Sequence, residues 1–140
     1  MNHAKKVKGD ISESKILSKF IELGLTVSLP FGDNQRYDMI IDNEGQLFKI
    51  QCKSAWKKQE GVLEFQTTSC WKKGRENYIN QIDFFAVYYD EFDKTYLVSI
   101  DEAPTGGSMY LRYETPIKNS PNINWAYDYE VEKQLNKLGL

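Results

Sequence analysis

Two short runs of sequence decide the fold, RYDMII at residues 36–41 and LFKIQCK at residues 47–53. Both are rich in residues that favour strands, and Asp42-Asn43-Glu44-Gly45 between them has a composition typical of a tight hairpin turn. We therefore predict two adjacent antiparallel strands. Because side chains alternate between the two faces of a strand, Gln51 and Lys53 are predicted to share one face of the second strand.

An amphipathic helix is predicted before this hairpin. Apolar residues recur at helical spacing from Ile11 to Leu23, and Gly24 supplies a stop signal directly after them. Asp10 is a good N-cap residue, so the helix is expected to begin there. Glu13 follows three residues later, and local pattern alone favours a capping-box role for it.

The rest of the chain reads as strands and one more helix. Further strands are predicted at residues 25–29, 62–68, 84–89, 95–100 and 109–113, and a second helix at residues 125–138. The alternation at 62–68 predicts a strand with one more solvent-exposed face. The run FFAVYY at 84–89 is typical of a strand buried on both faces. Residues 69–80 are polar and are expected to be irregular. This order of elements predicts an α+β chain, also describable as α/β, with a central mixed sheet flanked by helices. Since no linker or repeat divides the 140 residues, one domain spanning residues 1–140 is expected.

Net charge argues at first against nucleic acid as a partner. The chain carries 18 basic and 20 acidic residues, a net charge of −2, with a pI near 5.5. The charge is unevenly distributed, however, because residues 1–75 hold 13 basic and 9 acidic side chains, net +4, and residues 76–140 hold 5 and 11, net −6. Only the first part is suited to contact phosphates.

Composition also excludes several protein classes. With 41% hydrophobic and 27% charged residues, the chain is typical of globular proteins rather than of disordered ones. The longest nearly uninterrupted apolar run has six residues, against the roughly 20 that a membrane-spanning helix needs. No membrane association is expected, and the N-terminus lacks a secretory signal pattern, so a cytoplasmic location is predicted. Cys52 and Cys70 fit neither a zinc site nor a disulfide framework and are expected to pack as small apolar residues.

Three polar residues of the hairpin point to a chemistry. If the pairing brings Asp38 opposite the face of Gln51 and Lys53, then an acid, an amide oxygen and an ammonium converge. Hard oxygen donors of this kind hold Mg²⁺, which activates water, and a lysine can orient the resulting hydroxide. This is the set of groups that a metal-dependent phosphodiesterase needs. Simpler interpretations stay open. Asp38 could only begin or end its strand, and Lys53 could lie at the solvated end of the following strand.

Several motifs in fixed order resemble one family. They are Gly9-Asp10-Ile11-Ser12-Glu13, Leu29-Pro30-Phe31-Gly32-Asp33-Asn34, Arg36-Tyr37-Asp38 and Ile50-Gln51-Cys52-Lys53. Their succession resembles the PD-(D/E)XK nucleases, and within them a compact branch that includes homing endonucleases encoded in bacterial, notably cyanobacterial, group I introns. The resemblance covers about the first two-thirds of the chain and implies a restriction-endonuclease-like core. The implied activity is site-specific hydrolysis of phosphodiester bonds in double-stranded DNA with Mg²⁺, for which Mn²⁺ could substitute.

The resemblance also implies roles for four catalytic residues. Asp38 would be the central metal ligand, Lys53 would position and polarise the attacking water, and Glu13 matches a helix acid that reaches the metal. Gln51 occupies the (D/E) position, where an amide can ligate Mg²⁺ but brings no charge. The predicted metal ligands are thus Asp38, Gln51 and Glu13, with Glu13 restoring the missing charge. Gln51 leaves open a catalytically weak or inactive DNA-binding module of the same fold.

A DNA-binding surface is predicted in the basic part of the chain. Its cations suit phosphates and its amides suit base edges in the major groove. The candidate residues are Lys57, Lys58, Lys72, Lys73, Arg75, Asn77, Tyr78, Gln66 and Thr68. A merely solvated loop is an equally good interpretation of residues 69–80, and the pI keeps open an interaction domain with no nucleic-acid partner.

Self-association is the last expectation. A double-strand cut requires two active sites, so the family resemblance implies a homo-oligomer, either a dimer or a tetramer. The acidic and aromatic C-terminal part is the expected interface, centred on residues 84–100 and the last helix. The alternative is that its aromatic residues complete the core of one chain.

Overall fold

A five-stranded mixed sheet forms the centre of the computed structural model, which describes residues 3–71, 74–115 and 122–139. The elements in chain order are α1 (His3–Glu22), β1 (Thr26–Ser28), β2 (Met39–Asn43), β3 (Gln46–Ser54), β4 (Trp56–Gln59), β5 (Val62–Gln66), β6 (Thr68–Trp71), β7 (Gly74–Asn77), β8 (Phe84–Tyr89), β9 (Lys94–Ser99), β10 (Ser108–Arg112), a 3₁₀ turn (Ala126–Tyr129) and α2 (Val131–Lys137). The central sheet has the order β1-β2-β3-β8-β9, in which β3 and β8 are parallel and the other neighbours antiparallel. The predicted α+β fold with a central mixed sheet is confirmed.

The β2–β3 hairpin forms as the sequence indicates. Met39 pairs with Ile50 and Asn43 with Gln46, so the strands are antiparallel and in register. Glu44 and Gly45 have φ values of 52° and 96°, and the Gly45 N–H donates to the Asp42 carboxylate at 2.8 Å. Positive φ at both central positions is the geometry of a two-residue hairpin turn that matches strand twist.

Two apolar layers cover the two faces of the central sheet. On one face both helices contribute to a cluster that includes Ile16 and Phe20 of α1 and Leu135 of α2. The other face is covered by a three-stranded sheet of order β10-β5-β4, through residues such as Leu63 and Phe65. Strand β8 lies between these layers with all six residues buried, as predicted.

Helix α1 is longer than predicted. It begins at His3 instead of Asp10, because Ala4, Lys5 and Lys6 favour a helix and continue it towards the N-terminus. Residues 3–11 are exposed throughout, so this part of the helix is not held by core packing. The N-cap prediction for Asp10 is therefore wrong, and Glu13 is an interior helix residue rather than part of a capping box.

The predicted end of α1 is confirmed. Gly24 has φ +86°, its N–H donates to the Ile21 carbonyl at 3.0 Å, and the Leu25 N–H donates to the Phe20 carbonyl at 3.1 Å. This pair of hydrogen bonds around a left-handed residue is the Schellman motif, which satisfies the last carbonyls of a helix.

Other elements depart from the sequence predictions. Residues 69–80, expected to be irregular, supply most of the β6–β7 hairpin, and β4 is an additional strand. The predicted wetter face of β5 is wrong, because only Gln66 of this strand is exposed. The second helix is shorter than predicted, and the 3₁₀ turn precedes it.

The aromatic C-terminal part mainly completes the core of the chain. Strand β8 is buried inside the sheet, and β9, although at its edge, is largely buried and packs against α2 and the 3₁₀ turn. Residues 84–100 therefore leave little free surface for the predicted subunit interface. The exposed aromatics of this part are Phe92, Tyr110 and Tyr127, at 40%, 48% and 52%, and Tyr127 stacks on Trp125. Within the described residues, no helix combines the length and the apolar character needed to cross a bilayer.

Candidate active site

Asp38 is fixed at the entrance to β2 by backbone hydrogen bonds to β3. Its N–H donates to the Ile50 carbonyl, and its Oδ2 accepts from the Cys52 N–H, both at 2.8 Å. Because its pairing follows the β2–β3 register, the hairpin itself holds the carboxylate beside the end of β3. Burial raises the pKa of Asp38, while the Cys52 N–H and the charge of Lys53 act in the opposite direction.

Lys53 reaches from β3 towards the β6–β7 hairpin. Its Nζ donates to the Thr68 carbonyl at 3.2 Å and to the Tyr78 hydroxyl at 3.3 Å. Burial lowers the pKa of Lys53 to about 8, and the nearby charges of Arg36 and Arg75 act in the same direction. Asp38 partly offsets this effect, which shows that the ammonium lies within electrostatic reach of that carboxylate.

Glu13 enters the site from α1. Burial raises its pKa, and the next largest cause is repulsion from Asp38, followed by Asp10. A hydrogen bond of 2.6 Å between the hydroxyls of Ser12 and Ser54 joins this part of α1 to the end of β3. Ser12 is only 3% exposed, so this contact is part of the packing that fixes the neighbouring Glu13.

Gln51 occupies the same strand as Lys53, two residues earlier. Its side chain is half-buried, and its amide nitrogen lies 3.5 Å from the Cys52 carbonyl. The Cys52 side chain packs against the helical face of the sheet, where burial raises the pKa of its thiol well above its ordinary value. The alternation predicted for β3 is therefore consistent with Gln51 and Lys53 sharing the other face.

The oxygen donors at this place suit a hard divalent cation. The described residues include no cluster of three or more His, Cys, Asp and Glu side chains that could hold a metal ion. The predicted set contains two carboxylates, from Glu13 and Asp38, and the amide oxygen of Gln51, and such oxygen ligands suit Mg²⁺. The charge repulsion between the two carboxylates would be relieved by a cation, so the donor set fits the predicted metal.

The residues predicted to contact DNA divide into exposed and buried groups. Arg75, Asn77 and Gln66 are exposed. Lys57 and Lys58 are also exposed, but Lys57 lies 2.5 Å from Glu60 and Lys58 lies 3.9 Å from Glu64. Each of these two lysines therefore has an acidic partner that a phosphate would have to replace.

Two of the predicted DNA contacts need correction. Tyr78 is 2% exposed and Thr68 is 4% exposed, so neither side chain offers a surface to a duplex. Tyr78 instead belongs to the core cluster, and Thr68 holds Lys53 through its carbonyl and Arg75 through its hydroxyl at 2.9 Å. Lys72 and Lys73, also predicted to contact DNA, lie outside the described residues.

Sequence reasoning missed Arg36 as a residue of the site. Its side chain donates to the Gln81 amide oxygen at 2.6 Å, the Ser69 hydroxyl at 2.7 Å and the Asn77 carbonyl at 2.9 Å. Its Cζ also lies 3.9 Å from the centroid of the Tyr78 ring. The one available signal was a cation two residues before Asp38, and it does not reveal partners more than 30 residues away.

Comparison with known proteins assigns this arrangement to a class. The sequence model of the family described as PD-(D/E)XK endonuclease matches residues 3–132, so the chain belongs to this family. Family membership supports a nuclease function and agrees with the predicted resemblance.

One solved structure extends the comparison to the fold. It is titled as a bacterial homing endonuclease, I-Ssp6803I, and superposes with a TM-score of 0.72 at 25% sequence identity. The alignment covers 96% of this chain and 91% of that chain, so the whole architecture is shared. No curated protein matches the sequence significantly.

Proposed function

We propose that this chain is a site-specific endonuclease that hydrolyses phosphodiester bonds of double-stranded DNA with Mg²⁺, and that it acts in intron homing. The observation that carries the proposal is the cluster of Glu13, Asp38 and Lys53 at the end of β3, beside Gln51. The β2–β3 hairpin supplies Asp38 and Lys53, and helix α1 supplies Glu13 from a separate part of the chain. Burial disfavours the charged forms of all three groups, and a cluster of ionisable groups with pKa values shifted in this way is typical of catalytic sites.

Each residue has a definite task in the proposed reaction. Asp38, Glu13 and the Gln51 carbonyl would hold Mg²⁺ or Mn²⁺, and the Cys52 N–H keeps the Asp38 carboxylate oriented whether or not an ion is bound. The bound ion would supply Lewis acidity, lowering the pKa of a water and neutralising charge on the phosphate. Lys53 would orient that water and stabilise the negative charge that develops at the scissile phosphate.

The proposed DNA surface extends from this cluster onto the β6–β7 hairpin. Arg75 would contact phosphates, and the amides of Asn77 and Gln66 would contact base edges or phosphates. Lys57 and Lys58 lie on β4, in the three-stranded sheet, and Lys72 and Lys73 are part of the same proposal. Confinement of these groups to one part of the chain allows a DNA-binding face on a protein with a net charge of −2.

Homing, assembly and location are finer parts of the proposal. The homing role is supported by the similarity to the bacterial homing endonuclease. A double-strand cut needs two active sites, so we propose a homo-oligomer, either a dimer or a tetramer, and light scattering would measure its mass. We also propose a cytoplasmic location, because the protein would need access to its DNA substrate.

A cleavage assay tests the proposal directly. The unmodified protein, Lys53→Ala and Lys49→Ala are incubated with a plasmid library in Mg²⁺ and in EDTA. Lys49 is an exposed lysine of the same strand, so it is the matched control. We expect cleavage in Mg²⁺ by the unmodified protein and Lys49→Ala, and none by Lys53→Ala or in EDTA. Equal cutting by the unmodified protein and Lys53→Ala, or no cutting by the unmodified protein, would overturn the proposal.

A second candidate function rests on Gln51. Because its amide brings no charge, the (D/E) position adds no negative charge to the metal site, which then depends on Glu13 for its second carboxylate. A catalytically weak or inactive DNA-binding module would shift duplex DNA in a gel equally well after Asp38→Ala and would show no metal-dependent cleavage. Gln51→Glu separates a weak site from an inactive one, since a weak site would gain activity at low Mg²⁺.

A further inference from the structure

Within the part of the chain that the structure describes, the ammonium of Lys53 donates hydrogen bonds to groups at the two ends of the β6–β7 hairpin. Thr68, which supplies the accepting carbonyl at 3.2 Å, is the first residue of β6. Tyr78, which supplies the hydroxyl at 3.3 Å, follows the last residue of β7. The position of Lys53 therefore depends on the position of the hairpin.

Tyr78 is rigidly placed between charged and aromatic neighbours. The Arg36 Cζ lies 3.9 Å and the Lys53 Nζ 4.9 Å from its ring centroid, and the Phe85 ring meets it edge-on at 5.4 Å. Two cations so close to one buried ring are each attracted to its π-electrons while they repel each other. Such an arrangement favours one ring position, and movement of Arg36 would be felt by Lys53.

Arg36 fastens the hairpin to the start of β2. Its Nη1 donates to Ser69 on β6, its Nη2 to the Asn77 carbonyl on β7, and its Nε to Gln81 beyond the hairpin. The guanidinium binds these acceptors through three separate nitrogens, whereas all the donors of a lysine lie on one nitrogen. The hairpin forms a separate two-stranded sheet, so these side-chain bonds are a principal means of its attachment.

We propose that Arg36 and Tyr78 are positioning residues that couple the β6–β7 hairpin to Lys53, so that DNA seated on the hairpin sets the position of the lysine. The inference rests on the proposed function, in which Lys53 orients the attacking water. Arg75 and Asn77 are exposed on the hairpin, where DNA would bind. Thr68 and Tyr78, at the ends of the hairpin, accept the hydrogen bonds of Lys53. Loss of the coupling lowers the rate of cleavage and leaves DNA affinity unchanged.

Kinetics of two conservative variants test the coupling. Tyr78→Phe removes one hydroxyl and keeps the ring, and Arg36→Lys keeps the charge and loses the separate donor nitrogens. A misplaced catalytic group costs up to about 100-fold in rate, so we expect kcat to fall about 10- to 100-fold at unchanged KM. The control is Tyr89→Phe, because Tyr89 is equally buried at 2% exposure and its hydroxyl binds Glu91 instead.

The outcomes of the kinetic test are decisive. The rates are compared at a temperature at which unfolding curves show both variants and Tyr89→Phe to be fully folded, so that a loss of folding does not explain a loss of rate. Unchanged kcat in Tyr78→Phe and Arg36→Lys, or a rise in KM without a fall in kcat, would overturn the coupling. If the unmodified protein does not cleave DNA, the proposed function fails, and the coupling is then decided by a spectroscopic measurement.

Nuclear magnetic resonance of ¹³C-methylated lysines supplies that measurement without catalysis. The Lys53 signal is identified by its absence in Lys53→Arg, and its position reports the nearby Tyr78 ring. We expect Tyr78→Phe and Arg36→Lys to move this signal and Tyr89→Phe to leave it in place. With mixed-sequence duplex DNA in EDTA, the signal should move in the unmodified protein and move less in Arg36→Lys. A Lys53 signal that is the same in all four proteins, or that responds to DNA equally in both, contradicts the coupling.

Discussion

Phe84 and Phe85 support opposite faces of the central strand β8, and we predict that their substitution separates stability from activity. Phe84 is 7% exposed and meets one aromatic ring edge-on, that of Phe48, at a centroid distance of 5.6 Å. Phe85 is fully buried and meets two rings, those of Phe65 at 5.7 Å and Tyr78 at 5.4 Å. Leucine keeps each position apolar and removes the ring contacts.

The expected loss of stability follows from the number of aromatic pairs. Each pair contributes about 0.5–1.5 kcal/mol beyond the area it buries, so Phe84→Leu is expected to lower the free energy of unfolding by about that amount. Phe85→Leu loses two pairs and is expected to cost about 1–3 kcal/mol. Denaturant unfolding measures both values, and the slopes of the transitions should remain equal because each variant stays two-state.

The effect on DNA cleavage is expected to differ much more than the effect on stability. Phe85 supports the Tyr78 ring, which contacts Lys53, so Phe85→Leu should lower kcat at temperatures where the protein is fully folded. Phe84 faces the helical layer and should leave kcat unchanged. Equal rates for the two variants, or a greater loss for Phe84→Leu, would refute the reasoning that the site depends on this face of β8.

Three further predictions concern pH, a buried contact and the first helix. Burial and Glu130 raise the pKa of Tyr96 to about 12, so the folded chain holds this proton more tightly than the unfolded one, and stability should fall as the pH rises from about 10 to about 12. Tyr96→Phe should make unfolding less dependent on pH across that range, and an unchanged dependence contradicts the prediction. Ser12→Ala should lower the free energy of unfolding by about 1–3 kcal/mol because it leaves the Ser54 hydroxyl without its partner, whereas adding Ser54→Ala should restore part of that loss in a double-mutant cycle. Gly9→Ala should raise the free energy of unfolding by about 0.5–1 kcal/mol, because Gly9 lies inside α1 with nothing within 4 Å of an added Cβ, and a loss of stability would contradict helical structure at this position.

The parts of the fold that could be predicted from the sequence are those that local chemistry specifies. The β2–β3 hairpin has a Glu44-Gly45 turn that suits positive φ, and Gly24 ends α1 for a similar reason. The apolar run of β8 is short and rich in aromatic residues, which favours a buried strand over a helix. In each of these places, propensity, pattern and tertiary structure agree.

The β6–β7 hairpin could not be predicted because its stability comes from outside its own sequence. Its residues are largely polar, and Gly74 to Asn77 are mostly exposed, so no alternation of apolar residues marks the strands. Arg36 supplies hydrogen bonds to both strands from a position more than 30 residues earlier in the chain. The sequence of the hairpin alone therefore does not reveal the hydrogen bonds that Arg36 donates to it.

The start of α1 was mispredicted for a related reason. Asp10 followed by Glu13 satisfies the local rule for a helix N-terminus, but the same rule does not prevent a helix from continuing through both residues. The correction strengthens the candidate site, because a capping Glu13 would bind backbone N–H groups at the helix end. As an interior residue, Glu13 is instead directed by the helix and by the adjacent Ser12–Ser54 bond towards Asp38.

The candidate site could be located from spacing, but its electrostatic character comes from packing. Burial raises the pKa values of Glu13 and Asp38 and lowers that of Lys53, so it favours the neutral form of each group. This burial depends on α1, β8 and the hairpin together. A chain selected only for stability would replace these groups with apolar residues, as buried charges without matched partners are costly. Their retention on three separate elements argues that they serve a ligand that compensates the charge of both carboxylates, which is the role proposed for Mg²⁺ and the DNA phosphate.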